Sequence, residues 1–478
     1  MTGRYDKFLL VIFLVTLPMV NPWIRGDGVG YYAYARAMLI EHRLDFTKDW
    51  LAANTSFRMS HTDMEGHLVP SVFTATGHLA NHFSVGPAIL WAPFLIVTHV
   101  GVNVYDKLGG HVTVDGYSYP YIVTVAVASA LYGFLALWLS FRLARKYVAE
   151  CWAFLATMGI WFASSLPIYM YFNPSWAHAG SAFTVALFLW YWDRTRVART
   201  WQQWLILGAV GGLMMDVYYI SAVVLVVPLL ESLETYWSAR KAKDPGPVMQ
   251  LVVGNALFAV ALLTTFFPTL VTRKIIFGSY FQTGYSERWF WESPAILRVS
   301  FSADHGLFSW TPIVLLAVAG LFFLRKCDRT LAVYTIALFG TYLYAVGCYQ
   351  NWDGLSSFGN RFFVSLSTLF VLGLAAFFDF LERTWQERRT AIIASTATFV
   401  LILWNLGLMF QWGMHLIPAR GPISWRQAAY NQFRVVPIEC TAELKRYLDH
   451  RQALMDEIEN RDVQQLKKQQ SDPSRDHK

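Results

Sequence analysis

QWLILGAVGGLMMDVYYISAVVLVVPLLES (203–232) is about 30 residues of nearly unbroken apolar sequence, with Gly208, Gly211, Gly212, Asp216 and Pro228 inside it. A helix needs ~20 residues to cross ~30 Å of hydrocarbon. The stretch is therefore one long crossing or two short ones, and the topology of everything after it depends on which. The basic loops decide. Lys and Arg cluster in the N-terminus and in FRLARKYVAE (141–150), DRTRVARTWQQ (193–203), SARKAKD (238–244), RKCDR (325–329) and ERTWQERR (382–389). Cytoplasmic loops carry such excess. Placing all six on one side requires two crossings that turn near Asp216. It also requires VGPAILWAPFLIVTHVGVNV (85–104) not to cross, so that segment reads as a re-entrant or interfacial helix, broken up by Gly86, Pro87 and Pro93.

The remaining spans fall near 8–24, 118–141, 151–170, 178–192, 250–271, 306–324, 330–347, 361–381 and 390–412. The first is retained, because no A-x-A-like cleavage site follows it. The fold class is an all-α polytopic membrane protein of about 11 transmembrane helices with a long first external loop, about 25–117. The transmembrane domain covers 1–412, and an external tail covers 413–478. Within the tail, 441–469 reads as an amphipathic helix with Thr441 as N-cap, and the final QQSDPSRDHK as disordered.

Composition agrees. Of 478 residues, 55% are hydrophobic and 15% charged, against roughly 25% charged in soluble domains. Aromatics reach 17%, and mean hydropathy is +0.35. Soluble, disordered, coiled-coil and disulfide-stapled classes are excluded. The net charge of +7 resides in the basic loops, so nucleic acid is not a partner. Cys151, Cys327, Cys348 and Cys440 fit no zinc spacing; Cys348 and Cys440 share the external side, where a disulfide is open to them.

Candidate chemistry gathers at the external ends of the spans. Arg25 and Asp27 sit just past span one, among Gly26, Gly28 and Gly30, which let the chain turn tightly. Tyr31, Tyr34, Ala35 and Met38 follow at helical spacing. Asp27 is either a base for an incoming hydroxyl or an acid that starts a helix. Asn173, Ser175 and His178 stand between two spans, where His178 binds a phosphate or acceptor group or lies in a capping turn. Asp216 is an acid near membrane depth. Asp304 and His305 precede a span. Asp353 lies in YQNWDGLSSFGNRFF (349–363), where Arg361 begins a span on the outer side. That placement breaks the charge rule. A guanidinium there suits an anionic phosphate, or it snorkels to headgroups. HTDMEGH (61–67) is loosely metal-like but reads as a solvated loop. No Walker loop, GxSxG or HExxH is present.

Taken in order, GDGVGYYAYARAMLIEHRLDF (26–46), FSVGPAILWAPF (83–94), DGYSYPY (115–121), NPSWAHAGSAF (173–183), HGLFSWTP (305–312) and WDGLSSFGNRFF (352–363) resemble the GT-C superfamily of integral membrane glycosyltransferases. The nearest branch is the bacterial protein mannosyltransferase and aminoarabinose-transferase-like group. The resemblance implies a transferase in the cell (inner) membrane, working on its extracytoplasmic face. It would move a sugar from a polyprenyl-phosphate donor to a glycan, lipid or protein acceptor by inverting displacement. The family's catalytic acid maps onto Asp27. Gly28 stands where a second acid often follows in the mannosyltransferases, which leaves the acceptor open. Arg361 is the first candidate for the leaving phosphate, with Arg25 and Lys274 behind it; Tyr31, His178, His305 and Asp353 are further substrate-binding candidates. No metal ligand set is assigned, although a divalent metal is compatible with the superfamily. Trp91, Trp289 and Trp291 suit a sugar or lipid interface, or an aromatic belt. A lipid-linked-sugar flippase is the rival reading; it calls for deep charges and repeat symmetry, and only Asp216 answers.

Overall fold

The computed structural model describes residues 3–242 and 246–471. Among the described residues the structure is helical, with only isolated bridges outside the helices. Seven described helices are long and apolar enough to cross a membrane. This is a multi-pass membrane protein.

Side-chain pairings give each helix its direction. In α1 (Arg4–Thr16), Asp6 accepts from the Trp138 indole at 2.7 Å and from Arg145 at 3.1 Å, and Phe13 stacks on Phe134 at 4.5 Å. It therefore runs antiparallel to α4 (Tyr119–Ala144), with the basic termini together. α1 stops at Thr16, short of the expected 24, because Pro18 opens a 3-10 turn over Leu17–Met19. Between the two lie α2 (Asp27–Arg36) and α3 (Gly86–Lys107). α3 follows only the first half of α4: Trp91 donates to Ser129 at 2.9 Å, and His99 meets Tyr121 at 2.8 Å. The segment from α1 to α4 thus begins and ends at one end of the bundle. α3 packs along only part of α4, although its 22 residues and hydropathy of 1.6 match a span. The expected breaks are absent: the helix is continuous. Pro87 falls in the first turn, where no amide is needed, and Pro93 is carried inside.

α5 (Glu150–Ala163) ends before Ser164, and α6 (His178–Thr195) returns to the basic end, where Asp193 takes Lys146 at 2.7 Å. The 203–232 stretch forms an antiparallel pair, α7 (Trp201–Val217) and α8 (Val226–Ala242), turning right after Asp216. Arg199 and Glu231 close their basic ends at 2.9 Å. α9 (Gly246–Phe277) lies alongside α7. A Cβ on Gly208 would stand 2.2 Å from the Phe258 carbonyl oxygen, and one on Gly212 2.4 Å from that of Leu262. These glycines let two backbones touch.

α10 (Ile313–Phe323) packs on α12 (Ser367–Thr384) in the same way, with α11 (Arg329–Cys348) and α13 (Glu387–Gly413) flanking. A Cβ on Gly320 would lie 1.8 Å from the Gly373 oxygen, and one on Gly373 2.1 Å from that of Ala317.

In the tail, the single helix expected over 441–469 is two: α14 (Val436–Asp449) and α15 (Arg451–Ser471). Pro437 occupies the first turn of α14, so Thr441 lies inside a helix rather than at its cap. The disorder expected at the end of the chain falls largely outside the described residues. Cys348 is buried at the end of α11 and Cys440 lies on α14; both are free thiols, so the open disulfide is not formed.

The helix crossing at Gly373 gives a direct expectation. Gly373→Ala forces a methyl into backbone and should cost about 1–3 kcal/mol, read as earlier thermal unfolding in detergent. Gly340→Ala, which meets nothing within 4 Å, should be neutral or slightly stabilising. Equal stability of the two variants would contradict the close crossing.

Candidate active site

α2 starts beyond the 3-10 turn that follows α1. Gly26 has φ +53°, the left-handed region that favours glycine, and acts as N-cap without any side-chain bond. Asp27, the first helical residue, caps nothing. Its Oδ2 instead accepts from Arg361 Nη1 at 2.5 Å. Gly28 and Gly30 are close-packing positions. A Cβ on Gly28 would lie 2.1 Å from Ser175 Oγ, and one on Gly30 1.9 Å from the Phe83 ring.

Arg361 opens the 3-10 turn Arg361–Leu366 that leads into α12. Its guanidinium lies 4.8 Å over the Trp176 ring, and the Trp176 indole donates to the Arg25 carbonyl at 3.0 Å. The side chains of Asp27 and Arg361 are 28% and 14% exposed, so a ligand can reach the pair. The pair is sheltered but not sealed, between a free surface ion pair and a fully buried one.

Tyrosines surround it. Tyr31 is buried against Phe83 at 4.8 Å, Tyr218 lies 6.4 Å from Phe362, and Tyr285 lies 4.7 Å from His82. Burial, then the charge of Asp27 among other neighbours, holds the hydroxyls of Tyr31 and Tyr285 above the ordinary phenol range. They remain protonated. His178 is buried beneath, 4.4 Å from the Tyr169 ring and 5.1 Å from Tyr218, and its Nδ1 has no hydrogen-bond partner among the described residues.

A strap over 81–83 clamps α2. Asn81 donates to the Gly30 carbonyl at 2.9 Å, and Tyr34 donates to the Asn81 carbonyl at 3.1 Å. Arg273, from the end of α9, donates to the carbonyls of Asn81, His82 and Phe83, each at 2.8 Å. Met38, read with Tyr31 and Tyr34 on one face, is 55% exposed instead. α2 has already ended at Arg36 and passed into a π-turn over Ala37–Glu41.

The structure thus brings Asp27, Tyr31, His178 and Arg361 together and adds Trp176, Tyr218 and Tyr285. Arg25 points elsewhere: its guanidinium pairs with Asp462. Lys274 turns back to the Gly278 carbonyl at 2.8 Å. Trp91 is bonded inside the bundle to Ser129, whereas Trp289 and Trp291 stack on each other at 5.1 Å, exposed. Asp216 is fully buried at the end of α7.

Asp304, His305 and Asp353 form a second cluster. His305, at φ +55°, is buried and stacked on Trp310 at 4.9 Å, with Nε2 3.6 Å from Asp304 Oδ1. Burial, then Asp353, raises Asp304 to about 6; burial, then Arg361, lowers His305 to about 4. No group of three or more His, Cys, Asp or Glu side chains is placed to hold a metal among the described residues. In the 61–67 loop, His67 is an exposed neighbour of Asp63 and Glu65 at 3.9 and 3.6 Å.

No protein-family model matches the chain, and no curated protein matches it. Among solved structures it is similar to ArnT from Cupriavidus metallidurans bound to undecaprenyl phosphate. That match has 13% identity and a TM-score of 0.45, covering 86% of this chain and 71% of that one. The same enzyme in the apo state gives 13% identity and a TM-score of 0.43, covering 85% and 70%.

The Asp304–His305 cluster gives a pH expectation. Asp304 binds its proton more tightly folded than unfolded, so its contribution is present below pH ~4 and is lost as pH rises through about 6. His305 does the reverse: buried neutral, it destabilises as pH falls below ~6.5 toward 4. The two slopes oppose between pH 4 and 6. Asp304→Asn should leave thermal stability rising with pH across that window, and His305→Gln should leave it falling. Parallel pH curves for the two variants would refute the opposition.

Proposed function

We propose that this protein is a membrane glycosyltransferase, moving a sugar from a polyprenyl-phosphate carrier to a glycan, lipid or protein acceptor at the extracytoplasmic face of the inner membrane. One observation carries the reading: a reachable Asp27–Arg361 pair, 2.5 Å apart and ringed by protonated tyrosines, at the bundle end away from the basic loops. The ordered motifs that resemble the GT-C superfamily support it.

The chemistry follows from the two groups. Displacement at the anomeric carbon breaks the bond to the phosphate oxygen and forms one to the acceptor oxygen from the opposite face. Charge builds on the leaving phosphate, and a preorganised guanidinium stabilises it. Arg361 supplies that group, held over Trp176. The acceptor hydroxyl loses its proton as it attacks, and Asp27 is the base in place to take it. Tyr31 and Tyr285 donate to sugar oxygens. At rest the two central groups neutralise each other. A bound phosphate takes over Arg361 and frees the carboxylate, so the base becomes available only when donor is present.

Asp27→Asn keeps size but removes the base. Transfer from a polyprenyl-phosphate-linked sugar should fall roughly 10²–10⁴-fold, with membrane insertion unchanged. Arg361→Lys keeps the charge but loses the bidentate fork and should weaken donor use. Near-wild-type transfer by the Asp27→Asn protein would overturn the assignment.

A further inference from the structure

The C-terminal helix α15 lies across the outer end of α1, far from the bundle's basic end. α1 breaks at Pro18 and leaves carbonyls without helical partners. The tail supplies those partners: Arg451 donates to the Val20 and Pro18 carbonyls, both at 2.6 Å, and Tyr447 donates to that of Met19 at 2.8 Å. Leu454 and Met455 are buried there, packed with Met19 and Trp23. Farther along α15, Glu459 accepts from the Ser56 amide at 2.6 Å and from Asn54 at 3.0 Å in the first loop. Asp462 then pairs with Arg25 and also accepts from His415 at 3.0 Å.

Arg25 is the junction. Its side chain is held by the tail, and its carbonyl by the Trp176 indole, whose ring carries Arg361. Gly26, the left-handed turn, is all that separates it from Asp27. The Arg25 carbonyl also accepts from the Gly28 amide at 3.0 Å, across the Gly26 turn, so what holds Arg25 also holds the first turn of α2 and the approach of Asp27 to Arg361.

We propose that Asp462 is a positioning residue: through Arg25 it anchors the Gly26 turn and sets the reach of the Asp27 carboxylate toward Arg361. This rests on the proposed function for its kinetic consequence, but not for its structural one. The side chains of Arg25 and Asp462 are 22% and 18% exposed, sheltered enough for the pair to hold geometry rather than decorate a surface. A misplacement near 1 Å costs a reaction up to about 100-fold.

The test uses the full-length protein in nanodiscs, with two readouts on Asp462→Asn and on the charge-swapped pair Arg25→Asp with Asp462→Arg. Amide hydrogen exchange over residues 24–30 should rise at least tenfold in Asp462→Asn, with the rest of the bundle unchanged. Transfer kcat should drop about 10- to 100-fold at constant donor KM. The swapped pair should recover both. Unchanged exchange over 24–30 overturns the proposal. So does exchange that rises throughout the bundle with kcat following the amount of folded protein, because that outcome marks a purely structural tail. If the wild type transfers no sugar, the proposed function fails, while the exchange result still decides the anchoring of Arg25.

Discussion

The pair between Asp27 and Arg361 joins residues 334 positions apart, and the end of the bundle is organised around bringing them together. One comes from the first helix beyond α1, the other from the turn that starts α12. Neither element reaches the meeting point unaided. α2 is clamped by Asn81 and, through the 81–83 strap, by Arg273. The turn bearing Arg361 is backed by Trp176. An acid and a base left apart at this depth would each carry a desolvation cost; together, and partly open to solvent, they form a stable pair, which in the proposed function a stronger anion would separate.

Much of this was legible in the chain. The turn after Asp216 followed from putting every basic loop on one side, and the Arg199–Glu231 bridge closes the α7–α8 pair as that reading requires. Arg361 stood out as an arginine at the wrong end of a span, and it meets Asp27. Arg273 shows the same violation at the end of the 250–271 span and was missed, although the signal was equal. It differs in partner: its Nη groups donate to three backbone carbonyls and to the Tyr219 hydroxyl, so its role is to hold a strap. Tyr218 sat at a turn already placed at this end, and Tyr285 in the loop beyond α9; nothing in local pattern marks a tyrosine as lining rather than belt.

Other features lay beyond reach because they are tertiary. Gly28 and Gly30 resemble a flexible approach to Asp27 on paper, and only the positions of Ser175 and Phe83 show them to be contact points. Arg25 looked like a second phosphate ligand by adjacency, whereas its partner, Asp462, lies almost a full chain length away. The tail read as an appendage because amphipathicity does not say what a helix covers.

In the proposed function, phosphate and carboxylate compete for one guanidinium. Titrating purified protein in nanodiscs with sugar-free polyprenyl phosphate tests it without catalysis. Asp27→Asn, which removes the resident anion, should bind the lipid phosphate more tightly than wild type, and Arg361→Ala should lose that binding. Weaker binding by Asp27→Asn, or undiminished binding by Arg361→Ala, would rule out that competition.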